Sequence, residues 1–167
     1  WRVRKECYGQ MVQMDGSHHD WLEGRGPELV LMGYIDDATN NVFGRFYDYE
    51  GTFPAMDSFK RYAGIYGLPH SMYMDRHTTY KSNSKLTEQE ILEGIDKPMS
   101  QFERAMKELG VKVIHAYSPQ AKGRVERLFG VLQDRLIKEM RIKGIRTMEE
   151  ANSFLDEYLP VYNDKFA

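Results

Sequence analysis

Three carboxylates in this chain, Asp15, Asp75 and Glu126, occupy places where acids could act together. Asp15 ends the run Gln10-Met11-Val12-Gln13-Met14, and Gly16-Ser17 follow it as strand breakers. Asp75 ends the run His70-Ser71-Met72-Tyr73-Met74, which Gly67-Leu68-Pro69 introduces. Glu126 lies on a long helical pattern in which Val125, Phe129, Leu132, Leu136 and Met140 recur at spacings of three and four. It therefore flanks the stripe that packs inward. Acids at strand ends are held by rigid backbone while their side chains reach the sheet's edge, and a helix can aim a third into the same cleft. That combination suits metal binding. Taken alone, each acid also reads as a strand-end turn residue or a surface glutamate, so the set has meaning only if neighbouring elements bring it together.

Periodicity supplies those elements. Residues 10–15 read as a first strand, and 17–27, with His18, His19, Asp20 and Glu23, as a loop. His18-His19-Asp20 is a poor ligand trio, because adjacent residues point apart on most backbones. The apolar stretches 28–35 and 42–49 flank Asp36-Asp37-Ala38-Thr39-Asn40-Asn41, whose turn chemistry predicts an antiparallel hairpin and accounts for Asp36 without catalysis. Phe53, Met56, Phe59, Tyr62, Ala63 and Tyr66 fall at helical spacing over 52–66, and Gly67 ends that helix. The strand reaching Asp75 then follows a crossover and is parallel. A helix over 100–109, a short buried strand over 111–115 and the Glu126 helix come next. Thr147, with Glu150 three residues on, caps a last helix whose inner face is Met148, Ala151, Phe154, Leu155 and Tyr158. Residues 1–9 lack a period and read as an N-terminal extension to a domain over 10–167. Residues 76–98, polar from Lys81 to Lys97, read as a surface loop insertion in that domain.

At 167 residues, 41% hydrophobic and 29% charged, the chain fits one globular domain with a proper core. It contains no apolar run of membrane-spanning length and no signal-peptide pattern. The single cysteine, Cys7, excludes an internal disulfide and fits a reducing compartment. The chain opens at Trp1 without an initiator methionine and reads as an excised fragment. A net charge of −2 argues against a generally basic nucleic-acid binder, yet residues 120–146 hold eight basic residues against three acids. Beside a candidate metal site, such a run points to phosphate contact rather than to a merely solvated face.

Met14-Asp15-Gly16, Tyr34-Ile35-Asp36-Asp37-Ala38-Thr39, Tyr66-Gly67-Leu68-Pro69 and Ser118-Pro119-Gln120-Ala121-Lys122-Gly123-Arg124-Val125-Glu126 occur in that order. Together they resemble the integrase catalytic core of DDE transposases, most closely the ISNCY-like bacterial insertion-sequence transposases. The resemblance runs from about Gln10 to the end of the chain. It implies a ribonuclease-H-like α/β fold: a five-stranded mixed sheet, three antiparallel strands then two parallel, with helices on both faces. It also implies a polynucleotidyl transferase that cleaves DNA 3′ ends and performs strand transfer. Asp15, Asp75 and Glu126 would be its catalytic residues and the ligands of two Mg²⁺ or Mn²⁺ ions, with Asp15 bridging both. Lys122, one turn before Glu126, is the leading DNA-phosphate contact, with Gln120, Arg124 and Arg127 beside it. The implied partners are transposon ends, target DNA and further copies of the chain, as a homodimer or higher homo-oligomer assembled on DNA. The implied location is the bacterial cytoplasm, at the nucleoid.

The chain departs from better-known integrases in two places. His77 stands where a glycine is common, and 50 residues separate Asp75 from Glu126, with the surplus in the polar insertion. Two alternatives stay open: a ribonuclease-H-like nuclease that only hydrolyses, and a non-enzymatic DNA-binding domain derived from a transposase.

Overall fold

The computed structural model describes residues 3–75, 100–116 and 123–167. The 76–98 insertion, Gln120 and Lys122 lie outside them. Five strands, β1 (Val12–His19), β2 (Leu29–Asp36), β3 (Val42–Tyr47), β4 (Ser71–Asp75) and β5 (Lys112–Ala116), form one sheet in the order β3-β2-β1-β4-β5. β1, β2 and β3 are mutually antiparallel, while β4 joins β1 and β5 joins β4 in parallel. Four helices are described: α1 (Thr52–Tyr66), α2 (Gln101–Glu108), α3 (Gly123–Ile142) and α4 (Met148–Phe166). The expected succession of elements is therefore present.

Every residue of β2 is buried, as its near-continuous apolar run Leu-Val-Leu-Met-Gly-Tyr-Ile requires of a strand covered on both faces. Val30, Met32 and Tyr34 pack with Val12, Met14, Met72 and Met74 under Phe59 and Tyr62 of α1 and Phe102 and Met106 of α2. Leu29, Leu31 and Ile35 pack on the other face under Val125, Leu132, Leu136 and Met140 of α3 and Leu155 and Leu159 of α4. Alternation along each strand thus sorts side chains into two cores with helices on both faces.

The helix ends follow their sequence signals. Ser100 accepts a hydrogen bond from the Glu103 N–H at the start of α2, and Gly67 closes α1 at φ 84°. At Thr147 the expected cap takes a variant form. Its Oγ1 accepts from the Glu150 N–H (3.1 Å) and also donates to the Glu150 carboxylate (3.0 Å). α4 then continues through Pro160 to Phe166, past the expected inner face. The helix covers the outer edge of β3 along both its expected and its added length. Asn152 pairs with both the N–H and C=O of Phe46 (2.7 and 3.0 Å), and Asn163 does the same for Val42 (2.8 and 2.9 Å). These amides stand in for a sixth strand on an edge that would otherwise present unpaired backbone.

The 17–27 loop is corrected. β1 continues through Gly16 and Ser17 to His19, and all eight of its residues pair with β2. The Glu50 carboxyl and the Met32 sulfur lie against Gly16, in the space a Cβ would enter. Trp21 and Leu22 then turn fully inward, and the indole N–H donates to the Ser17 carbonyl at 3.1 Å.

Candidate active site

Asp15 is the fourth of the eight β1 residues rather than its last, so it stands on a strand held from both sides. The β1–β4 ladder pairs Val12 with Met72 and Gln13 with Tyr73. The paired part of this ladder ends there, and Asp15 and Asp75 each follow two residues later on the two neighbouring strands. Adjacent strands lie about 4.8 Å apart. Asp75 closes β4 and pairs with Ala116 of β5. Both acids are half-buried, and Asp15 Oδ1 accepts the Gly16 N–H at 2.9 Å. Strand alternation puts Asp15 on the face of Gln13 and Ser17, the face that α3 crosses.

α3 is fastened along that face at two points. The Val125 N–H donates to Gln13 Oε1 (3.4 Å), and Gln133 Nε2 donates to Ser17 Oγ (3.2 Å), with Asp15 midway between. Phe129 seats the helix between them: its ring edge lies 2.6 Å from where a Cβ would stand on Gly33, the β2 partner of Asp15. Glu126 is the acid of the first turn, next to the Val125 that touches Gln13, and its side chain is exposed. Among the described residues no three His, Cys, Asp or Glu side chains are grouped closely enough to hold an ion. The fold therefore sets Asp15 and Asp75 on neighbouring parallel strands and the Glu126 helix across β1, without closing the three into one cluster. As oxygen donors on neighbouring strands, the two aspartates have the chemistry that hard divalent cations prefer.

Arg124, the second residue of α3, is tied to the hairpin turn. Its Nε lies 3.3 Å from Asp37 Oδ1, and its Nη1 donates to Asn40 Oδ1 at 2.8 Å. Asp37 is fully buried, and its other oxygen accepts the Lys5 N–H at 2.7 Å. This anchorage favours a structural role for Arg124 over the phosphate contact expected of it.

The sequence aligns along its whole length with curated proteins. It is 40% identical over 167 residues to y4bF of Sinorhizobium fredii, which carries a transposase name, covering 99% of this chain and 35% of that one. It is 39% identical over 170 residues to the transposase for insertion sequence IS1202 of Streptococcus pneumoniae, covering 99% of this chain and 34% of that one. The chain is a relative of bacterial transposases. It spans about a third of the length of these curated relatives. No protein-family model matches it. Among solved structures, a simian T-cell lymphotropic virus intasome in complex with PP2A regulatory subunit B56 gamma superposes with TM-score 0.71 and 20% identity, over 92% of this chain and 49% of that one. The HTLV-2 integrase catalytic core domain in complex with magnesium, in its dimeric form, superposes at 0.64 and 16% identity, over 89% and 83%. The fold of this transposase relative is thus that of integrase catalytic cores, the ribonuclease-H-like fold.

The remaining candidate residues of the transposase relative divide by surroundings. Asp36 is a turn residue, as expected: Oδ2 accepts from the Thr39 N–H and hydroxyl (both 2.9 Å), and Oδ1 accepts the Gly9 N–H (2.8 Å). His18 and His19 point to opposite faces, His18 toward Glu50 (3.4 Å) and His19 against the Trp21 ring (5.5 Å). Much of the basic run on α3 is already partnered. Arg141 grips Glu23 at 2.6 and 2.8 Å, and its hydrogen bonds hold the Glu23 carboxyl down at about 2. Lys138 pairs with Asp134 (2.7 Å), and Arg135 lies 4.8 Å over the Phe166 ring. Arg127 remains exposed beside the helix start. Gln13, Gly33 and Asp37 are the site-shaping residues that sequence reading misses, because each acts on a partner more than 80 positions away.

Proposed function

We propose that this chain is the catalytic core of a transposase, a polynucleotidyl transferase that cuts DNA 3′ ends and joins them to target DNA. What supports this reading is that Asp15 and Asp75 stand on the neighbouring parallel strands β1 and β4 and that the Glu126 helix is fastened to β1, in a chain similar to transposases along 99% of its length. Two Mg²⁺ or Mn²⁺ ions would supply an activated oxygen nucleophile and neutralise charge developing on the phosphate. Asp15 would bridge them, Asp75 would complete one shell, and Glu126 the other once its carboxylate turns inward over the aspartates. The first reaction is attack of water on a phosphodiester: a new P–O bond forms as the bond to the leaving oxygen breaks, freeing a 3′-hydroxyl. The second is attack of that hydroxyl on a target phosphodiester. Neither passes through a covalent protein intermediate, so Cys7 has no part in it. The partners of this reading are transposon ends, target DNA and further copies of the protein assembled on DNA in the bacterial cytoplasm.

The experiment places Asp15→Asn, Asp75→Asn and Glu126→Gln one at a time in the full-length protein. Each variant is expected to bind transposon ends like the parent and to lose Mg²⁺-dependent cleavage. Any variant that keeps appreciable cleavage removes its residue from the site. A substrate with a pre-cut 3′ end and a supercoiled target separates strand transfer from hydrolysis, and joining of the two is the outcome expected of a transposase.

A further inference from the structure

We propose that the cleft between the first turns of α3, the end of α4 and the N-terminal segment is a phosphodiester subsite for a DNA strand, with Arg4 and Arg127 as its ligands. The choice of DNA as occupant rests on the proposed function. The cleft has a volume of about 320 Å³, and its polar side chains are Arg4, Arg124, Arg127 and Asn40, with Tyr162 beside them. Among the described residues no carboxylate lines it. Asp37 neutralises one of the three guanidiniums, that of Arg124. Arg4 and Arg127 carry no ion pair among the described residues, so the cleft holds two uncompensated positive charges.

Both arginines are placed by identifiable contacts. The N-terminal segment is pinned to the hairpin turn: the Lys5 N–H donates to Asp37 and the Gly9 N–H to Asp36. Arg4 is therefore brought beside Arg124 by the buried acid that binds Arg124. Arg127 folds back over the start of α3, where Gly123 leaves it room; a Cβ there would stand 3.2 Å from its Nη1. Guanidinium groups present paired N–H donors that match phosphate oxygens. Tyr162 and Phe166 add aromatic surface on which a sugar or base of the same strand can rest. Cleft volume, charge and wall chemistry agree on an anion joined to a flat apolar group. Arg127 directly follows Glu126 on α3, but Arg124, Arg127, Leu128 and Val131 line the cleft from the opposite flank of the helix, so a strand leaving the acids would reach it by crossing the helix start.

The test is fluorescence anisotropy of a labelled DNA oligonucleotide with the 167-residue chain, in EDTA, across a series of salt concentrations. Arg4→Ala and Arg127→Ala are each expected to weaken binding by about 3- to 10-fold and to flatten the slope of log Kd against log salt by about 0.7–0.9. Lys143→Ala, whose ammonium sits 5.8 Å over the Phe154 ring away from the cleft, is expected to leave both unchanged. Thermal melts within a degree or two of the parent show that the exposed substitutions leave the fold intact. Unchanged slopes in both arginine variants overturn the proposal, and so does an equal loss in Lys143→Ala, which would mean a diffuse basic surface. Displacement of the oligonucleotide by inorganic phosphate at constant ionic strength would also overturn it, in favour of a site for the free anion. Failure here with cleavage intact in the full-length protein sinks this subsite alone. Arginine-dependent binding in a protein that never cleaves sinks the proposed function instead.

Discussion

A double-mutant cycle on Asp37 and Arg124 tests whether the start of α3 is anchored to the sheet. Arg124→Ala would remove the Arg124 guanidinium from the fully buried Asp37 carboxylate, which keeps the Lys5 N–H. Stranding one partner of a buried pair costs about 3–5 kcal/mol. Asp37→Asn is milder: the amide oxygen still accepts from Lys5, and Arg124, whose side chain is 23% exposed, keeps Asn40 and gains water. The expected cost there is about 1–3 kcal/mol. The double variant should lose far less than the sum, with a coupling of about 1–3 kcal/mol, because neither charge is left behind. Urea unfolding measures these differences, and thermal melts should show about 2–4 °C for each kcal/mol in a domain of this size. If Arg124→Ala costs less than about 1 kcal/mol, or the two effects simply add, the guanidinium is not holding the helix. It would then be available to DNA, as the sequence alone leads one to expect.

Asn152→Ala would leave the Phe46 N–H and C=O unpaired on the covered edge of β3; a loss of about 2–4 kcal/mol in urea unfolding is expected, with faster amide exchange at Phe46. Asn152→Asp, which sets a carboxylate oxygen against the Phe46 carbonyl, should lose at least as much. The Glu23–Arg141 contact predicts a pH signature. The carboxyl is lowered from 4.5 to about 2, so its contribution is present above 4.5 and is lost as pH falls toward 2. The difference in melting temperature between the parent and Arg141→Ala should therefore shrink over that interval; a difference that persists at pH 2 would assign it to packing. If Asp15 bridges two ions as proposed, Mn²⁺ at about ten times its dissociation constant should stabilise the parent by about 1.4 kcal/mol, a rise of about 3–6 °C. Asp15→Asn should show little response, and an equal gain in the variant would remove Asp15 from that role.

What could be read from sequence was whatever depends on local spacing. The stripe Val125, Phe129, Leu132, Leu136, Met140 marks α3 because residues three and four apart share a face, and all five are buried. Asp36 is legible as a turn residue because its partner Thr39 is three positions on. Gly16-Ser17 reads as a strand end on the same local logic, and there the logic fails. Pairing with β2 across eight residues outweighs one glycine, and the Glu50 carboxyl, 34 positions away, fills the space beside it. Trp21 and Leu22 look like loop residues until β1 is seen to extend far enough to turn them into the core.

The candidate site shows the same division at higher stakes. The three acids can be picked out by type, because each ends or flanks an apolar pattern, but their geometry depends on contacts that no local pattern contains. Arg124 looks like a DNA contact beside Glu126 in the chain; the buried Asp37 opposite it, 87 positions earlier, changes its meaning. Residues 3–9 have no period, yet hydrogen bonds from Lys5 and Gly9 tie them to the two acids of the hairpin turn. One turn thus positions both the helix that carries Glu126 and the segment that carries Arg4. A substitution at Asp37 should therefore disturb α3 and the N-terminal segment together, whereas a change at Gln13 should loosen the α3 anchorage alone. That contrast follows from connectivity, and amide exchange at Lys5 and Val125 in the two variants would expose it.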